Sequence, residues 1–182
     1  MPIIDSSTAD VRPGGRTKRR LLQLPIAAVA VCGAVALTAV PASAAQTCTG
    51  KTDSNLCFSI NQRADGLFDV HVGIDVHMPL DEAQEYVDDV GEPPFTVWIR
   101  GDDGKPDRNL FSVPLTDGTL VATSGFGLSA EFDTVVEGRD LDEDPGGTDE
   151  VRAHVTLTDT DTGIDAEGSP FISNRLTGNW PF

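Results

Sequence analysis

The chain is poor in the patterns that announce an enzyme. It has no Gly-x-Ser-x-Gly elbow, no His-Glu-x-x-His and no glycine-rich phosphate loop, so the common signatures of serine hydrolases, zinc proteases and nucleotide binders are missing. Cysteine is scarce as well. Only three are present and none has Cys-x-x-Cys spacing, which argues against a redox or zinc pair. Basic residues number 13 against 29 acids, and five of those bases fall before residue 21. Residues 45–182 therefore hold 8 bases and 27 acids, a formal charge of −19 against −16 for the whole chain. Such a surface repels nucleic acid and anionic membranes and attracts cations or basic partners.

What is present begins with a targeting pattern. Arg12, Arg16, Lys18, Arg19 and Arg20 precede the uncharged apolar run Leu21 to Val40, and Pro41-Ala-Ser-Ala44 supplies small residues. That succession reads as a signal peptide over residues 1–44, cleaved after Ala44, which leaves one secreted domain over 45–182. The run is long enough to anchor in a membrane, but its alanine-rich composition and its small-residue end favour cleavage, so no membrane attachment is expected in the mature protein. Val29 and Val31 before Cys32, and Ala45 and Thr47 before Cys48, do not make a lipid-attachment signal. Arg19-Arg20 permits twin-arginine export without establishing it. Ten arginines against three lysines, with abundant Ala, Val, Gly and Asp, suit a bacterial gene of high GC content.

Cleavage removes Cys32 and leaves Cys48 and Cys57, an even pair in an oxidising compartment. A disulfide is expected between them, fastening the N-terminal segment to a strand near Cys57. Closing so short a loop contributes about 2–3 kcal/mol by chain entropy.

The dominant period of the mature chain is two. Phe68, Val70, Val72, Ile74, Val76 and Met78 alternate with Asp69, His71, Asp75 and His77, the pattern of a half-buried strand. Similar alternation at Phe95 to Ile99, Leu110 to Leu115, Phe126 to Phe132 and Val151 to Leu157 predicts further strands, with a last one near Pro170 to Arg175. Gly101 to Asp107 reads as a long hairpin tip, and Asp159 to Gly163 as a simple turn. One segment differs. Ala83, Tyr86, Val87 and Val90 fall at helical spacing, which predicts a short helix over 81–90, capped by Asp81 and ended by Gly91. These elements describe an all-β fold, a two-sheet antiparallel sandwich that is Ig-like or C2-like in general shape. The Cys, Trp, Cys core of a true Ig domain is absent, because both cysteines lie at one end and Trp98 is far downstream.

Candidate site residues are few. His71 and His77 share a strand face but stand about 20 Å apart, so one ion cannot reach both. Asp75 and His77 could share an ion with His154 if its strand lay alongside. Glu131 and Asp133 form a carboxylate pair on one strand face, which in a chain this acidic says little. Arg100-Gly101-Asp102 copies a tripeptide read by some cell-surface receptors and falls at the expected hairpin tip. The densest signal is Gly138 to Glu150, where Asp140, Asp142 and Asp144 alternate like the first ligands of an EF-hand-type calcium loop and Glu150 adds a fourth oxygen donor. Pro145 occupies the glycine position, Val151 replaces the closing glutamate and no helices flank the loop, so the EF-hand itself is rejected while calcium stays a candidate ligand. No other cofactor is called for. The reading that follows is a non-enzymatic, secreted β-sandwich that binds an extracellular partner through acidic loops. Alternatives are a secreted hydrolase using its carboxylates, or an inhibitor of an extracellular enzyme presenting Gly101 to Asp107.

Overall fold

The computed structural model describes residues 44–89, 91–102, 108–143 and 147–180. The basic and apolar stretch of residues 1–43 lies outside them. In chain order the strands are β1 (Ala44–Gly50), β2 (Ser54–Gln62), β3 (Phe68–Val76), β4 (Phe95–Gly101), β5 (Asn109–Ser112), β6 (Val121–Thr123), β7 (Gly127–Val136), β8 (Asp149–Asp159), β9 (Ile164–Asp165), β10 (Phe171–Ile172) and β11 (Leu176–Gly178). Helix α1 (Leu80–Asp88) follows β3, and the single turn α2 (Gly138–Leu141) follows β7. One sheet has the order β1-β2-β3-β7-β6 and the other β10-β8-β4-β5, with β9 and β11 pairing onto β8. All pairings are antiparallel. The fold is the expected all-β, two-sheet architecture.

Alternation explains how the sheets bury a common core. The even residues of β3 from Phe68 to Val76 are buried, as are Leu56, Phe58 and Ile60 on β2, Leu128, Ala130 and Phe132 on β7, and Val151 to Leu157 at alternate positions of β8. Phe95 of the second sheet meets Phe132 of the first edge to face, at 5.9 Å between ring centroids. Each fully buried large apolar side chain contributes roughly 1.5–3 kcal/mol, so this interior holds the two sheets together.

Departures from the expected elements have local causes. Helix α1 starts one residue earlier than expected and is not capped by Asp81. Pro79 takes the N-cap position with ψ 149°, and its carbonyl accepts the Ala83 N–H at 3.0 Å. Asp81 and Glu82 instead lie in the first turn, where the helix dipole favours negative charge. The C-cap is Asp89, whose Oδ1 accepts the Gly91 N–H at 3.1 Å; Val90 lies outside the described residues. Of the expected strand at 170–175 only β10 forms; the Ser173 hydroxyl takes the Ala153 N–H at 2.9 Å and interrupts the ladder, and pairing resumes beyond Arg175 in β11. Beyond β5 the chain crosses to the other sheet, and Leu115 bridges to Phe132. Cys48 and Cys57 sit directly opposite in the β1–β2 register and form the expected disulfide, with Cα atoms 4.1 Å apart.

Gly127 opens β7 with φ +84°, and a Cβ there would lie 2.2 Å from the Val76 carbonyl oxygen and 2.7 Å from the Met78 nitrogen. Only glycine fits this crossing of backbones.

Candidate functional site

The described residues of the acidic stretch 138–150 are tied into local hydrogen bonds. Glu137 and Asp140 form a reciprocal capping box around α2, and Asp140 Oδ2 accepts the Glu137 N–H at 3.1 Å. Asp142 is the C-cap of that turn. Asp149 is buried and accepts the Glu143 N–H at 2.8 Å, drawing the two ends of the loop together. Glu150 lies half-buried on β8, and Asp144 lies outside the described residues. Among the described residues no three His, Cys, Asp or Glu side chains converge as metal ligands.

The Arg-Gly-Asp tripeptide is not at a hairpin tip. Arg100 and Gly101 belong to β4, Gly101 is buried, and its N–H bonds to the Arg108 carbonyl at 3.0 Å. The Asp102 carboxylate accepts from Arg152 at 2.6 Å and from Arg175 at 2.7 Å. Burial alone would raise its pKa, but the two guanidinium groups outweigh that and hold it below the usual range. A receptor that needs a presented aspartate finds this one engaged. Of the proposed inhibitory segment Gly101 to Asp107, residues 103–107 lie outside the described ones.

The histidines serve three different surroundings. His77 is occupied on both ring nitrogens, at 3.0 Å from the Thr52 carbonyl and 3.0 Å from the Asn55 amide. It clamps the β1–β2 turn onto the end of β3. His154 belongs to β8 in the other sheet and is 8 % exposed, so it does not share an ion with Asp75 and His77. The expected polar face does not expose His154, since burial runs unbroken from Ala153 to Val155 on β8, and its separate sheet is not readable locally. His71 Nδ1 lies 2.8 Å from Asp133 Oδ1, and the Thr116 hydroxyl donates to Asp133 Oδ2 at 2.6 Å. Burial would raise the Asp133 pKa, yet these two hydrogen bonds keep it lowered. His71 Nε2 lies over Gly73, 3.4 Å from where a Cβ would stand. The missing side chain opens an outer-face groove of about 510 Å³ lined by His71, Asp75, Ser129, Glu131 and the Cys57 half of the disulfide.

A second hollow was not foreseen from sequence. The C-terminal half of α1 faces the β8–β9 turn across about 470 Å³, and Glu82, Glu85, Asp88, Asp89, Asp159 and Asp161 surround Tyr86 there. Helical spacing brings the α1 acids to one side, and the long-range approach of the turn adds the rest. Burial, and then Asp159, Glu82 and Glu85, push the Tyr86 phenol above its ordinary pKa, so it remains a neutral O–H donor well past neutral pH. Thr160 donates its hydroxyl to Asp89, and that bond together with the Gly91 N–H holds the Asp89 carboxyl low. The hollow is therefore strongly anionic. Among the described residues no helix is long and apolar enough to cross a membrane.

No family model, curated protein or solved structure matches this chain.

Proposed function

We propose that the mature domain is a secreted, non-catalytic binding module whose acidic hollow beside α1 receives a cationic partner at the cell exterior. The observation that carries this reading is the gathering of six carboxylates round Tyr86 in one open hollow. Crowded carboxylates raise one another's electrostatic energy, and a divalent ion or a basic side chain relieves it. No three of these carboxylates converge as ligands of one ion, so the hollow suits a lysine or arginine of a protein partner, or a cation held by its field, better than a chelated calcium. The disulfide suits an oxidising compartment, in keeping with export and cleavage near Ala44.

The single tyrosine of the chain is Tyr86, which makes the test direct. Phenolate absorbance should titrate above the ordinary tyrosine range, and bound calcium or hexalysine should lower that pKa by relieving repulsion of the phenolate. Asp88→Asn with Asp161→Asn should remove the response at constant ionic strength. Calcium shifts confined to Asp140, Asp142, Asp144 and Glu150 in amide spectra would move the site to the acidic loop, and no response to either cation would reject the reading.

A second reading, hydrolysis, is favoured by one arrangement. Asp133 orients His71 so that Nε2 faces the groove over Gly73, the geometry of a histidine general base. Ester or glycoside turnover lost in His71→Gln and kept in His77→Gln would support it.

A further inference from the structure

The scarce bases of this acidic domain are not spread evenly. Trp98 and Arg100 alternate with the buried Val97 and Ile99 on β4, so they occupy the outer face of the six-stranded sheet. In register, Trp98 is flanked by Ser112 and His154, and Arg100 by Asn109 and Arg152. Arg175 reaches the same place from the segment before β11. Three of the domain's eight bases thus gather at one end of the face that carries Trp98, which is 37 % exposed.

Two of these arginines share one anchor. Asp102 Oδ2 accepts the Nε–H of Arg152 at 2.6 Å and the Nε–H of Arg175 at 2.7 Å. One oxygen bonded to both keeps the guanidinium groups side by side, and one carboxylate offsets only one of two positive charges. Among the described residues neither guanidinium makes a hydrogen bond through its terminal Nη nitrogens. Each therefore keeps the paired N–H edge that grips a planar carboxylate or a phosphate with two parallel bonds. Much of the ordering of both long side chains is already in place before a ligand arrives, which lowers the entropic cost of binding.

We propose that this face is a binding site for a short acidic saccharide, with anionic groups on the Arg152 and Arg175 forks and a sugar ring against Trp98. Charge complementarity selects the anion, since this is a basic island on a domain of net −19. The same net charge selects against length. Beyond roughly 8 Å the field of surrounding acids is screened, so a short ligand meets mainly the arginines, whereas a long polyanion also meets the acids. The exposed indole supplies an apolar plane beside the cations, which suits a ring carrying an acid and is superfluous for a bare anion.

Nitrogen-15 spectra of the mature protein resolve arginine Nε–H and tryptophan indole N–H signals, and trigalacturonate is the probe. At millimolar concentration it should shift Arg152, Arg175 and Trp98 while leaving Trp180 unchanged. Arg175→Ala and Trp98→Ala should each weaken binding about tenfold or more, and Arg175→Lys should fall short of wild type because it lacks the fork. Arg63→Ala, in the turn after β2 of the other sheet and paired with Asp65 and Asp69, should bind normally. Amide spectra of each variant separate lost binding from lost folding. The proposal is overturned if trigalacturonate produces no shifts, if the neutral trigalactoside binds equally, or if triglutamate or inorganic phosphate binds as well with no loss in Trp98→Ala. The last outcome would mean anion recognition without a sugar.

Discussion

Removing the Cys48–Cys57 bridge by the double change Cys48→Ala and Cys57→Ala tests how β1 is held. The bond links residues nine apart in sequence, and a chain-entropy account of so small a loop gives about 2.7 kcal/mol. Packing adds little, because Cys48 is exposed and Cys57 half-buried, both on the outer face of their sheet. The cost therefore resides mainly in the freed unfolded chain. For a domain of this size, about 3 °C per kcal/mol converts the loss into a fall in Tm of roughly 8 °C. Urea unfolding followed by the buried Trp180 measures it, and reduced wild type should coincide with the variant, since both release the same loop. The ladder between β1 and β2 should survive, so amides of β1 should exchange faster without losing all protection. A loss below about 1 kcal/mol at an unchanged m-value would refute the entropic assignment, as would a reduced wild type much weaker than the variant.

Other consequences follow from single positions. Gly127→Ala forces a Cβ against the Val76 carbonyl in a left-handed conformation, and should cost about 3 kcal/mol or more; loss of less than 1 kcal/mol in urea would show that the β3–β7 crossing relaxes easily. Asp102 and Asp133 both have lowered folded pKa values, so their stabilisation is complete above the ordinary carboxylate pKa of about 4 and declines as pH falls through the lower folded values. Asp133→Asn should flatten that part of the stability profile, and an unchanged acid limb would contradict the His71 and Thr116 attribution. Protein recovered from culture medium should begin at Ala45 by intact mass, whereas a membrane-bound chain retaining Leu21 would exclude cleavage.

The parts of this molecule legible in sequence are those with local causes. The strand β3 is plain because one face must be apolar over nine residues, and α1 because Ala83, Tyr86 and Val87 repeat at helical spacing. β1 is not plain. Its Ala, Gln and Thr residues are an edge strand's small and polar side chains, with no large apolar face to reveal a period, and only pairing with β2 makes it a strand. β6 and β9 escape notice for the same reason. Asp81 is a good capping residue and suggests a start at 81, yet Pro79 already fixes the entry one residue earlier. Site assembly is less legible still. Asp102 meets partners 50 and 73 residues away, and His71 meets Asp133 at a separation of 62, so no short spacing announces either group. The acidic loop looked like the densest site because its carboxylates are close in sequence, whereas Asp140 and Asp149 serve the backbone around them.

The same distinction changes what the charge of −19 means. A short aspartate side chain reaches backbone N–H groups two or three residues on, which is why it recurs in turns. Asp65 accepts from Leu67, Asp89 from Gly91, and Asp159 from Asp161 and Thr162. The backbone bond from Leu67 holds Asp65 below its usual pKa against its desolvation, with Arg63 adding to the effect. These carboxylates close the turns in which they stand. Glu82, Glu85 and Asp161 make no side-chain hydrogen bond among the described residues, and they stand round one hollow. Their contribution is field rather than structure. Salt separates the two populations, since screening reaches exposed charges several ångströms from a partner and leaves direct hydrogen bonds within a turn largely intact. Capture of a cation by the hollow should therefore weaken steeply between low and physiological ionic strength while the melting temperature changes little, and parallel losses of both would place the Glu82 group among the structural acids.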